Sequence, residues 1–210
     1  VNALTGSEFV TLITPMPAPG VSPERENTIY AQIASGNVPD FLRTLVPVTT
    51  NKVINGINHT TTFYVTPDYM AVGTDTNYFL TPMTPLLAQR LADSLGCSLP
   101  TRKMVDNIWT KAAVKLSPSP IPWSPEMITV PVFDQHNSMV RTQRLAQIAA
   151  HPLGALVGGD KKDVIISTLI YTNLMTPPKP VVIYGWHYLN GTNIQNAYNE
   201  WSDIYDSNEN

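Results

Sequence analysis

The 210-residue sequence has a single cysteine, Cys97, which excludes an internal disulfide framework and a zinc site built on cysteine pairs. In "LADSLGCSLP" this cysteine follows a helical pattern, and a lone thiol in such a place is expected to fill a small buried apolar position. Charge is also scarce. Asp, Glu, Lys and Arg make up 14% of the chain, against roughly 25% in an average globular domain. The formal net charge is −3 and no more than two basic residues stand side by side. The basic stripe that displaces counterions from a phosphate backbone is therefore missing, and no nucleic-acid partner is expected. No apolar run approaches the roughly 18 residues of a membrane-spanning helix, so no transmembrane segment is expected either. A signal-peptide pattern is absent, yet the chain opens on Val1. We read this as a mature chain whose targeting segment has been removed.

What is present is enough for a core: 43% of residues are hydrophobic, and a chain of this length buries a substantial interior. With so few charges the surface rests on Thr, Ser, Asn and Gln, a balance commoner in secreted proteins than in cytosolic ones. Two Asn-x-Thr triplets, at Asn58 and Asn190, fit the same extracellular or cell-surface expectation.

Periodicity predicts one α+β domain over 1–210, with a mostly antiparallel sheet and three or more packed helices. "TPLLAQRLADSLG" has Thr84 as cap, Pro85 at the first helical position and Leu87, Leu91 and Leu95 on one face, so a helix is expected over 85–95. "TRKMVDNIWTKAAVKL" predicts a second over 101–113, with Arg102 and Asp106 forming a weak surface pair, and a third is expected over 138–150. "EFVTLI", "VPVTTNKVI", "HTTTFYVTP" and "MITVPVF" read as strands, as do 163–171 and 180–186, with "TNLMTPPK" as a tight return between the last two. Asn55-Gly56 marks a hairpin turn in a loop longer than two residues. The four prolines of residues 14–23 and the run "SPSPIPWSP" predict irregular surface arms. The polar tail from about 196 to 210 is expected to be weakly ordered.

The candidate chemistry sits in "GALVGGDKKDVII" and "VVIYGWH". In a chain so poor in charge, four consecutive charged residues at Asp160, Lys161, Lys162 and Asp163 after a Gly-Gly turn stand out, although the plain reading is a solvated opening of a strand. If the two strands pair antiparallel, Asp163 at the start of one shares an edge with His187 at the end of the other. The carboxylate is then expected to orient the imidazole. His136, at a strand-to-helix junction in "VFDQHNSMV", completes a set of His136, Asp163 and His187 suited to zinc, with Lys161 or Lys162 stabilising an oxyanion. His59 and His151 are read as surface and helix-end residues. No H-E-x-x-H, nucleophile elbow or phosphate loop is present. The His, Asp and Trp-His order faintly resembles D-Ala-D-Ala peptidases, but "YGWH" lacks the acidic residue expected before the Trp-His pair.

Over Ser7 to Gln195 the stretches "PDYMAVGTD", "LGCSLPTRKMVDNIW", "FDQHNSMV", "HPLGALVGGDKKDVII" and "VIYGWHYLNGTNIQ" resemble an uncharacterised family of bacterial proteins that are mostly presumed secreted. Members of that family typically finish with an Asp-Tyr-Ser-His-Gly segment, whereas "NAYNEWSDIYDSNEN" has no histidine. The resemblance implies a secreted protein and little about its chemistry; if the family histidine is a ligand or base, it implies that this chain is an inactive or differently employed member, or one truncated before that segment. Three functions compete. One is a secreted hydrolase-like domain acting on a cell-wall or polysaccharide substrate. Another is a non-catalytic extracellular subunit that binds glycans or neighbouring copies of itself. The third, a cytosolic small-molecule enzyme, fits the single cysteine but not the composition.

Overall fold

The computed structural model describes residues 3–166, 181–195 and 204–205, and its first element overturns an expected strand. "EFVTLI" lies within helix α1, Gly6–Ile13. The deciding signal is a capping box: Thr5 Oγ1 accepts a hydrogen bond from the Glu8 backbone N–H at 3.3 Å, and the Glu8 carboxylate accepts one from the Thr5 N–H at 2.8 Å. This reciprocal pair outweighs the β-branched composition at the point where a helix must start. Phe9 and Ile13, one turn apart, then enter the core. Replacing Thr5 by Ala is expected to cost about 1 kcal/mol, read as a lower urea midpoint with an unchanged slope.

Helix α2, Glu24–Ala34, buries Ile29 and Ile33. The proline-rich residues 14–23 between α1 and α2 are irregular and mostly exposed, as expected. Strands β1, Val46–Ile54, and β2, Ile57–Val65, pair antiparallel in unbroken register from Val46↔Val65 to Ile54↔Ile57. The loop is shorter than predicted. Asn55 and Gly56 alone make it, both at positive φ, which is the type I′ geometry that suits strand twist. Most of this ribbon is exposed on both faces, with Val48 as its buried anchor.

The short hairpin of β3, Ala71–Gly73, and β4, Tyr78–Leu80, is buried throughout. It forms a central layer through the alternation of strand side chains. Val72 and Phe79 face a cluster with Phe9, Ile13, Ile29, Ile33, Leu87 and Leu91. Ala71, Tyr78 and Leu80 face another with Val114, Leu116, Val140 and Val157.

Helices α3, Pro85–Ser94, and α4, Arg102–Lys111, fall where the caps at Thr84 and Thr101 place them. Helix α5 differs: it runs over Val130–Ala146, so "MITVPVF" is not a strand but a 3₁₀ turn, Pro125–Ile128, followed by the first turn of α5. Pro131 explains this. Its missing N–H and fixed φ are free of cost in a helical first turn and unsuited to a strand ladder.

Strand β5, Val114–Lys115, pairs parallel with β6, Val157–Gly158. Strand β7, Lys162–Ile165, pairs antiparallel with β8, Val181–His187, on which β9, Asn193–Gln195, and β10, Ile204–Tyr205, also pair. The fold is thus a single α+β domain with several small sheets in place of one large one. The predicted return at 172–179, the strand end at 167–171 and most of the 196–210 tail lie outside the described residues.

Candidate functional site

Strands β7 and β8 bring the two sequence stretches together as expected: Lys162 lies opposite Gly185 and Asp163 opposite Tyr184. The partner of His187 is a different one. Its Nε2 stands 3.4 Å from Asp106 Oδ1, so Asp106 and not Asp163 is the carboxylate that orients the ring. The Tyr184 hydroxyl donates to the same Asp106 oxygen at 2.7 Å, and the Trp109 ring stacks on the imidazole at 5.6 Å between centroids. The Arg102–Asp106 surface pair is also replaced: Asp106 turns inward, and the Arg102 guanidinium lies over the Tyr184 ring. Burial lowers the pKa of His187 and Asp106 partly offsets this, so the imidazole is neutral at pH 7. With Nε2–H directed at Asp106, the lone pair resides on Nδ1.

Asp163 is held by Tyr69. The Tyr69 hydroxyl stands 3.1 Å from Asp163 Oδ2 and 3.1 Å from the Lys161 carbonyl, so its one proton is shared between two acceptors. Asp163 keeps some surface toward a cleft but is otherwise enclosed. Desolvation raises its pKa to about 7, with the Tyr69 hydrogen bond lowering it and Asp160 raising it. The Tyr69 phenol is itself pushed well above its ordinary range, chiefly by burial and then by Asp163.

The backbone between these groups is strained. Gly185 has φ +104° and Trp186 φ +56°, and a bulky residue in the left-handed region is an outlier that persists only where its surroundings hold it. A Cβ on Gly185 would meet Asp163 Oδ2 at 3.0 Å, Val105 Cγ1 at 3.3 Å and His187 Cε1 at 3.6 Å. Asp163 and His187 therefore flank one glycine. Gly185→Ala is expected to destabilise the fold by about 1–3 kcal/mol, and a thermal midpoint equal to the parent's would contradict this.

Lys161 and His136 form a third group. Lys161 Nζ donates to His136 Nδ1 at 3.2 Å. Burial first and the Lys161 charge second lower the His136 pKa to about 4. Its ring meets Trp186 edge-on at 6.0 Å, and the ammonium of Lys162 stands 5.7 Å from the same Trp186 ring. The expected zinc set of His136, Asp163 and His187 does not assemble. No three His, Cys, Asp or Glu side chains among the described residues are grouped to hold a metal. One nitrogen of His136 faces a cation and one nitrogen of His187 faces Asp106.

The "GGDKKD" charges do not form a solvated strand opening. Asp160 is 1% exposed and neither of its carboxylate oxygens has a hydrogen-bond partner among the described residues. Asp68 is buried nearby. Desolvation and then Asp160 raise the Asp68 pKa to about 8, and desolvation raises Asp160 to about 6. Lys161, which acts on both, has its own pKa lowered by burial.

Asp68, Tyr69, Lys161, Lys162, Asp163 and His187 line a cleft of about 320 Å³. His136 is not among its lining residues and reaches it through Lys161. Cys97 lines the cleft too, but is exposed instead of buried, because it lies beyond the Gly96 helix stop with its Sγ 3.5 Å from the Leu95 carbonyl. Sequence reasoning missed Asp68, Tyr69, Asp106 and Tyr184 as site residues. All four nevertheless fall in stretches that carry the resemblance: "PDYMAVGTD", "RKMVD" and "VIYGWH". No family model, curated protein or solved structure matches the chain.

Proposed function

We propose that the chain is a secreted hydrolase-like domain acting on a cell-wall or polysaccharide-derived substrate, with Asp163 and His187 as its acid and base. The observation that carries this reading is the pair of groups flanking Gly185: an imidazole kept neutral by burial and a carboxyl whose pKa is about 7. Such a pair is suited to splitting a bond with water. His187, oriented by Asp106, takes a proton from the attacking water through Nδ1. Asp163 gives its proton to the leaving group as the scissile bond breaks. Lys161 places positive charge where an oxyanion develops. Extracellular localisation is part of the same proposal, supported by the low charge content and the resemblance to presumed secreted proteins.

The test is incubation with purified peptidoglycan and with chitin and xylan oligomers, scoring new reducing ends and new amino groups. Products that the parent protein releases and the His187→Ala variant does not are expected. No product from any of these substrates would reject the proposal.

The alternative, a non-catalytic binding or assembly subunit, is favoured by the tip of the β1–β2 ribbon, where Val53, Ile54 and Ile57 are 65%, 47% and 63% exposed. If self-assembly is its role, sedimentation velocity shows an apparent mass that rises with protein concentration and falls back in an Ile54→Ser, Ile57→Ser variant. A monomer at every concentration rules that role out.

A further inference from the structure

The walls of the cleft point to a ligand the composition did not suggest. Apart from Asp68, Tyr69, Lys161, Asp163 and His187, and from the hydroxyl and aromatic side chains of Tyr64, Thr66, Thr81, Ser98 and Trp109, the lining is largely aliphatic. It includes Leu91 of α3, Leu95 at its C-terminal cap, Leu99 in the following loop, and Met104, Val105 and Ile108 of α4. Sugar rings need partners for their hydroxyls, and this aliphatic stretch has no polar atoms to supply them, so a saccharide laid along it would bury unpaired hydroxyls, whereas an alkyl chain would not. Methionines Met70 and Met83 line the same space, and the unbranched thioether adapts to a flexible chain.

We infer that the cleft binds an amphiphile: an aliphatic acyl chain along the α3–α4 wall, with its polar head at Asp163, Lys161 and His187. The arrangement matches the usual anatomy of a small-molecule site, apolar along its length with a few convergent polar groups at one end. This inference rests on the proposed reading of the cleft as a substrate site and narrows the ligand class to molecules with an acyl chain: an N-acylated saccharide, which has an amide bond to hydrolyse, or a free fatty acid, which is the product of that hydrolysis.

The experiment is displacement of anilinonaphthalene sulfonate from the full chain by octanoate, decanoate, dodecanoate, N-dodecanoyl glucosamine and chitotetraose. Affinity is expected to rise roughly fourfold per added methylene until the cleft is full, and chitotetraose, which lacks a long acyl chain, is expected to displace the probe far more weakly than dodecanoate. If N-dodecanoyl glucosamine exceeds dodecanoate, the acyl chain is presented on a sugar; the reverse order assigns a free acid. Leu45→Asp and Leu95→Asp alter lining side chains that are 47% and 50% exposed, so the fold tolerates them, as circular dichroism checks. Each is expected to weaken dodecanoate at least tenfold. Affinity independent of chain length, chitotetraose binding as well as dodecanoate, or no effect of either aspartate overturns the inference. The two readings fail separately. Acyl binding without hydrolysis of any substrate removes the hydrolase and leaves the ligand class, whereas cleavage of unacylated glycan without acyl binding does the opposite.

Discussion

Asp163→Asn is expected to lower hydrolytic turnover by roughly 10²–10⁴-fold, the usual contribution of a positioned proton donor, with a far smaller change in substrate affinity. The asparagine keeps the shape and can still accept from Tyr69, so loss of rate with the fold intact isolates the proton. The pH profile adds a sign that a purely structural role does not produce. Asp163 must be protonated to act as the acid, so activity falls as pH rises through about 7. His187 must be neutral to act as the base, and its pKa is lowered, so activity falls on the acid side only below the ordinary imidazole range. Activity is expected to peak in mildly acidic solution.

Two neighbours move the limbs in opposite directions. Tyr69→Phe removes the hydrogen bond that lowers the Asp163 pKa, so the alkaline limb shifts to higher pH. Asp106→Asn keeps an acceptor oxygen but removes the charge that helps to raise the His187 pKa, so the acid limb shifts to lower pH. A profile unmoved by either substitution would remove Asp163 and His187 from the chemistry.

How far this was legible beforehand varies with the range of the interaction. Helices α3 and α4 announce themselves through Thr84-Pro85, Thr101 and their leucine or valine faces, because caps and periodicity are local. The starts of α1 and α5 are local too, but their signals were outvoted by β-branched composition: Thr5 with Glu8 three positions on, and Pro131 in a first turn. The pairing of Asp163 with the strand ending at His187 followed from antiparallel geometry. Its detail did not, since alternation along β8 is broken by positive φ at Gly185 and Trp186. The true partner of His187 comes from α4, 81 positions earlier, as Asp106, and Tyr69 reaches Asp163 across 94 positions. Partnerships over such distances are set by how the layers pack, which no local pattern encodes.

The buried carboxyls predict that the protein loses stability as the solution becomes alkaline. Asp160 and Asp68 both have folded-state pKa values above the ordinary 3.8, at about 6 and about 8. A raised pKa means the folded state favours the proton. The associated stability is complete below about pH 4 and is lost as pH climbs through the folded values. For Asp160, as for Asp68, desolvation is the first cause of the raised pKa, so ionising either carboxyl weakens the fold and is read as a lower thermal midpoint. Asp160 is 1% exposed, so solvent screening gives little relief. Lys161, whose pKa is lowered by burial, acts in the other sense: losing its proton in alkaline solution relieves the cost of a buried ammonium, while withdrawing the cation that tempers the two carboxylates. The thermal midpoint is therefore expected to fall between about pH 4 and pH 8, and Asp160→Asn, which keeps the shape without the charge, should flatten the lower part of that slope, up to about pH 6, and raise the midpoint at pH 8. Asp68→Asn should do the same over a window that opens in the same carboxylate range and extends higher, because its folded pKa is the higher of the two. A midpoint that is level or rising over this range, or an Asp160→Asn variant as sensitive to pH as the parent, would overturn the assignment of raised pKa values to this pair.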